Sequence, residues 1–127
     1  MEKLRILLAE DEPLISIFFA ELLVDMGYEV CAIEVTEDAA VEAAARLRPD
    51  LLIVDRHLKQ GSGILAVARI LKEGSIPHIF MTGDRLVRDE VPDDVIMLQK
   101  PFLDADVGEA ITMAMQATGR HTLKRNT

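Results

Sequence analysis

Leu51-Leu52-Ile53-Val54-Asp55 is an unbroken apolar run closed by an aspartate. A strand with one face in water alternates apolar and polar side chains, whereas a strand covered on both faces reads as continuous. The run therefore predicts an inner strand of a parallel sheet with helices above and below it, and puts Asp55 at its carboxyl end. Similar runs lie on either side. Leu4 to Ala9 comes before Glu10-Asp11, Ile76 to Met81 before Thr82, and Val95 to Leu98 just before Lys100. Glu29 to Ile33 reads as one more strand.

Helical patterns fill the intervals. Pro13 suits a first helical turn, Ile15, Phe19, Leu22 and Met26 form its stripe, and Gly27 closes it. Thr36 can cap a second helix with Ala40, Ala43, Ala44 and Leu47 inside, stopped by Pro49. A third follows Gly61-Ser62-Gly63, with Ile64, Val67, Ala68 and Leu71 inward. Val107, Ala110, Ile111 and Ala114 mark the last helix. Between Asp84 and Asp94 only Leu86 and Val87 suggest a buried stripe before a dense charge run and Pro92, so a fourth helix there is expected to be short or irregular. The pattern predicts five βα units in one α/β domain, residues 1–120, with 121–127 expected to be a short tail and no output domain expected.

Composition narrows the function. At 127 residues, half of them hydrophobic, the chain can bury about two-thirds of its unfolded surface. A net charge of -8 argues against nucleic acid or an anionic membrane as partner. The basic cluster Arg120, His121, Lys124 and Arg125 reads as a solvated tail. The single Cys31 rules out an internal disulfide and lies in a strand-like run, where a small apolar role is expected. The first apolar run ends too early for a signal peptide, and none approaches the ~20 residues of a membrane span, so the cytoplasm is the expected location.

The chemistry lies at the strand ends. Carboxyl ends of parallel strands share one edge, so Glu10, Asp11, Asp55, Thr82 and Lys100 are expected to meet in one crevice. Crowded carboxylates raise one another's pKa and invite a cation, and Mg²⁺ suits few carboxylates with retained waters. Glu10, Asp11 and Glu12 could instead only cap the first helix; Asp55 at a matching strand end favours a site. Lys100 before Pro101 could serve as a point charge for phosphate or carboxylate, and Thr82 could cradle a phosphoryl oxygen. His78 reads as a core or edge histidine, and His57 as a solvent-facing loop residue with no evident orienting partner.

The combination of an acidic pair after strand one, aspartate after strand three, threonine after strand four and Lys-Pro after strand five closely resembles the receiver domain of two-component response regulators, over residues 3 to about 118. The resemblance implies a flavodoxin-like (βα)5 fold with sheet order 2-1-3-4-5, an order also given for a known receiver. It implies Asp55 as phosphoacceptor, Asp11 as direct Mg²⁺ ligand, Glu10 as ligand directly or through water, and the His57 backbone carbonyl as a further ligand. Thr82 would hydrogen-bond the phosphoryl group, Lys100 would pair with it, Lys100-Pro101 would be cis, and Gly63 matches the glycine that follows the phosphorylation loop. Three positions depart from the pattern: Lys59 replaces a frequent proline, Met97 the switch aromatic, and Gly83 a frequent alanine. Phe80-Met81-Thr82-Gly83 is similar to the Phe-Ala-Thr-Gly-type motif of a single-domain subfamily, with Met81 in place of alanine.

The implied function is a stand-alone response regulator that takes a phosphoryl group from a sensor histidine kinase or phosphotransfer protein. It would act on an unknown downstream protein as a monomer or weak dimer, or drain phosphoryl groups, and would not be a turnover enzyme. Its contact surface would involve the last helix, strand five and the fourth-helix region. A Mg²⁺-dependent hydrolase of the haloacid-dehalogenase type uses the same residue kinds but needs Asp-x-Asp after strand one, which Glu10-Asp11-Glu12 lacks. A flavodoxin-like carrier lacks its phosphate loop here, and a phosphorylation-independent interaction module is the remaining alternative.

Overall fold

In the computed structural model, residues 2–84 and 94–126 are described, with side chains through residue 117. The strands are β1 (Arg5–Ala9), β2 (Glu29–Glu34), β3 (Leu51–Asp55), β4 (His78–Thr82) and β5 (Met97–Gln99). The helices are α1 (Pro13–Asp25), α2 (Glu37–Leu47), α3 (Gly63–Leu71) and α4 (Asp104–Asn126). The strands form one parallel sheet in the order β2-β1-β3-β4-β5, as expected. The short fourth helix expected between Asp84 and Asp94 falls on residues 85–93, outside the described residues. α4 runs through the basic segment expected to be a tail.

Period-two geometry explains the layering, since successive side chains of a strand point to opposite faces. Ile6, Leu8, Leu51, Ile53, Ile79 and Met81 pack with Phe19 and Leu23 of α1 and Val107, Ala110, Ile111 and Ala114 of α4. The alternate residues Leu7, Ala9, Leu52, Val54 and Phe80 pack with Ala40, Ala43 and Ala44 of α2 and with Ala66, Val67 and Ile70 of α3. All five residues of β3 are buried, which is why its sequence does not alternate. Cys31 is partly buried against the second cluster. Among the described residues no helix is long and apolar enough to cross a membrane.

Two helix phases differ from expectation by about one residue. In α1 the buried positions are Ser16, Phe19 and Leu23, while Ile15, Leu22 and Met26 are partly exposed. This helix is apolar nearly all round, with Leu14, Ile17, Phe18 and Val24 exposed, so its pattern has little contrast. Ser16 is tolerated inside because its hydroxyl donates to the Pro13 carbonyl at 2.9 Å. In α3 the buried set is Gly63, Ala66, Val67 and Ile70, with Ile64 and Ala68 outside. Gly63 decides that phase, because a Cβ there would lie 1.8 Å from the Asp55 carbonyl oxygen.

Helix ends follow local chemistry. The Thr36 hydroxyl accepts from Ala39 N–H at 3.1 Å, capping α2. Ser62 caps α3 by accepting from Ile64 and Leu65 N–H at 3.1 and 3.3 Å. Glu12, at the N-cap of α1, makes no side-chain cap bond.

Candidate functional site

Sheet register assembles the site. Ala9 pairs with Val54, Asp55 with Met81, and Thr82 with Gln99, so Glu10, Asp55, Thr82 and Lys100 lie along one edge. Lys100 N–H donates to the Thr82 carbonyl at 2.8 Å, fixing where the lysine leaves β5. Its peptide bond to Pro101 is cis. From there the Lys100 ammonium reaches Glu10 Oε1 and Asp55 Oδ2, both at 2.5 Å. These three residues, 45 and 90 positions apart along the chain, are in direct contact.

The acidic groups are deeply placed: Glu10 is 1% exposed and Asp55 6%. Burial pushes the Glu10 carboxyl above its ordinary range, more than the Lys100 hydrogen bond lowers it, and the Asp55 charge adds to the rise. For Lys100, burial opposes the charge, but the hydrogen bonds to Asp55 and Glu10 outweigh it and hold the ammonium above its usual value. The remaining carboxylate oxygens are also engaged. Asp55 Oδ1 accepts from His57 N–H at 2.9 Å, and Glu10 Oε2 from Glu12 N–H at 3.3 Å.

Thr82 is fully buried, and its hydroxyl accepts from Asp84 N–H at 3.0 Å. Asp11 is partly exposed and joins no hydrogen bond or ion pair with the described residues. No group of three or more His, Cys, Asp or Glu side chains among the described residues is arranged to hold a metal ion. The oxygen donors that do face this edge still suit Mg²⁺, which is usually held by one or two carboxylates and waters.

Sequence reasoning missed the partner of His57. Its Nε2 lies 3.0 Å from Asp84 Oδ2, although the residues are 27 apart. The His57 hydrogen bond holds the Asp84 carboxyl below its ordinary value. The Asp84 carbonyl accepts from Gln99 Nε2 at 3.0 Å. Asp84, Thr82 and His57 thus form a linked rim beside Asp55. The signal was the matching offset, each residue standing two places beyond a strand end. His78 begins β4, its Nδ1 lies 3.1 Å from the Ile76 carbonyl, and its ring meets Phe80 edge-on with 5.5 Å between centroids. Met97 stands beside Phe80 in the β4–β5 pairing and packs partly buried in the second cluster.

Fold and site together define a flavodoxin-like α/β domain with an acidic, lysine-bridged crevice at the sheet's carboxyl edge. Residues 6–112 match the response regulator receiver domain family, and the chain belongs to that family. It is 36% identical over 115 residues to the phyllosphere-induced regulator PhyR of Methylorubrum extorquens, a match covering 87% of this chain and 43% of that protein. It is 34% identical over 115 residues to the transcriptional regulatory protein PdtaR of Mycobacterium tuberculosis, covering 87% of this chain and 56% of PdtaR. The chain thus spans about half the length of these curated relatives. The solution structure of the Erythrobacter litoralis PhyR receiver domain superposes with a TM-score of 0.80 at 34% identity, over 91% of this chain and 92% of that one. Family membership replaces the haloacid-dehalogenase and flavodoxin-carrier alternatives.

Proposed function

We propose that this receiver domain accepts a phosphoryl group on Asp55 from a phosphohistidine of a sensor histidine kinase or phosphotransfer protein. The observation that carries the reading is the buried Lys100 bridge between Asp55 and Glu10. An aspartate built only for stability has little reason to stand at a strand end beside a second carboxylate, sharing one ammonium with it.

An Asp55 oxygen attacks phosphorus in line, an acyl-phosphate O–P bond forms, and the N–P bond of the donor breaks with its electrons returning to the imidazole. His57 N–H holds Asp55 Oδ1, leaving Oδ2, now on Lys100, as the atom that exchanges an ammonium for phosphorus. Lys100 then pairs with the phosphoryl oxygens, and the Thr82 hydroxyl hydrogen-bonds the group. When bound through Asp11, Asp55 and the His57 carbonyl, with Glu10 directly or through water, Mg²⁺ supplies positive charge to offset carboxylate and phosphoryl oxygens. Asp84 and His57 stand where hydrolytic water would approach, and their contact tunes the lifetime of the phosphoryl group. The domain signals by contact with a downstream protein or drains phosphoryl groups from its donor, in the cytoplasm, without turnover of a substrate of its own.

Intact-mass spectrometry after incubation with acetyl phosphate and Mg²⁺ tests this. Wild type gains one phosphoryl adduct and Asp55→Asn none. Equal labelling of the two moves the acceptor away from Asp55, and labelling of neither returns the chain to a phosphorylation-independent interaction module.

A further inference from the structure

We infer that Glu37 is a positioning residue for the Asp55 site, its carboxylate holding the loop between β3 and α3 from outside so that the His57 backbone is presented to Asp55. The inference rests on the reading of Asp55 as phosphoacceptor.

Glu37 opens α2, and its side chain is 16% exposed. Its Oε1 accepts from Ser62 N–H at 2.9 Å, and its own N–H donates to the Gln60 carbonyl at 3.0 Å. The loop's returning limb is therefore pinned at two successive points by one residue. That limb is paired with the outgoing one through an antiparallel bridge between Ser62 and His57. Gly63 N–H closes the base by donating to the Arg56 carbonyl at 2.9 Å. The chain of contacts thus runs Glu37, Ser62, His57, Asp55, ending in the 2.9 Å bond from His57 N–H to Asp55 Oδ1.

Gly61 shows how closely the carboxylate is seated. Its φ is +97°, and a Cβ there would lie 2.5 Å from Glu37 Oε1. Arg69 of α3 fixes the other oxygen, donating from Nη1 to Glu37 Oε2 at 2.9 Å and to Asp38 Oδ1 at 2.7 Å. A hydrogen bond from a backbone N–H to an ionised carboxylate is roughly twice as strong as a neutral one, which suits a tether. Glu37 touches no reacting atom; it acts through the loop.

The test compares Glu37→Ala, Glu37→Gln and Arg69→Met with wild type. The readouts are amide hydrogen exchange at Ser62 and His57, and the rate and half-saturating concentration for acetyl phosphate labelling at fixed Mg²⁺. In Glu37→Ala the two amides exchange about tenfold faster and maximal labelling slows about tenfold, as for loss of one charge-assisted hydrogen bond. Half-saturation and the exchange of β1 and β3 amides stay unchanged. Glu37→Gln keeps a neutral oxygen for Ser62 and exchanges at a rate between wild type and Glu37→Ala, while Arg69→Met stays at the wild-type rate. Should Glu37→Ala fail to fold, Glu37→Asp, whose carboxylate stops one methylene short of Ser62, reproduces the faster exchange. Unchanged His57 exchange in the Glu37→Ala or Glu37→Asp protein overturns the inference, as does Glu37→Gln impaired as fully as Glu37→Ala. If wild type takes no label, the phosphoacceptor reading falls, while exchange at His57 and Ser62 still decides the tether.

Discussion

Two cations in this domain each bridge a pair of carboxylates, in different surroundings. Lys100 joins Glu10 and Asp55, whose side chains are 1% and 9% exposed. Arg69 joins Glu37 and Asp38, at 16% and 89%. The chemistry is alike, yet the carboxyl pKa values move oppositely. Burial lifts Glu10, whereas the Ser62 N–H and Arg69 hydrogen bonds lower Glu37. Water decides the difference. A buried pair gives up far more hydration than an exposed one, which costs little to form and is worth little beyond geometry.

The largest expected effect on this contrast is at Asp55, where Asn removes the acceptor oxygen and abolishes acetyl phosphate labelling by mass. Next is Lys100→Met, which slows labelling about 100-fold, the scale for losing a preorganised charge at a developing anion. The same variant binds Mg²⁺ more tightly by calorimetry, because a competing positive charge has left; weaker binding would place Lys100 on the metal's side of the ledger. Mg²⁺ itself stabilises wild type by about 1.4 kcal/mol at tenfold excess over Kd, read as a rise in melting temperature. No rise at millimolar Mg²⁺ contradicts the site.

The pH effects are smaller and opposite in sign. Because Glu10 has a folded pKa above its ordinary 4.5, the folded state holds its proton longer than the unfolded state. Its contribution therefore declines as pH rises from about 4.5 through the raised folded value. Urea midpoints of Glu10→Gln lack that decline, and an identical profile to wild type would refute the assignment. Glu37, with a lowered pKa, contributes above its ordinary 4.5 and loses that contribution as pH falls through the folded value. The smallest effect is Arg69→Met, expected to leave the urea midpoint nearly unchanged, since exposed ion pairs contribute little. A loss comparable to that of Lys100→Met would erase the distinction between the two bridges.

Much of this was readable in the linear order of residues. Unbroken apolar runs marked strands covered on both faces, and polar residues closing them gather along one sheet edge. The register of β1, β3, β4 and β5 brings Glu10, Asp55 and Lys100 into contact. The α4 stripe was also clear, because Val107, Ala110, Ile111 and Ala114 stand among polar neighbours and all are buried. The α1 stripe was not, because an evenly apolar helix carries no phase. In α3 the phase was set by the approach of Gly63 to the Asp55 backbone, a contact across the loop that local periodicity does not encode.

The amino-acid order by itself determined the α/β class, the parallel sheet and the residues at its carboxyl edge. These follow from short-range hydrophobic pattern and from the chemistry of single positions. Only the tertiary structure decided that Lys100 lies between Glu10 and Asp55, that His57 meets Asp84, and that Glu37 grips the loop at Ser62. Each of those contacts joins residues far apart in the chain, and their pairing depends on strand register and loop path, which no local propensity carries.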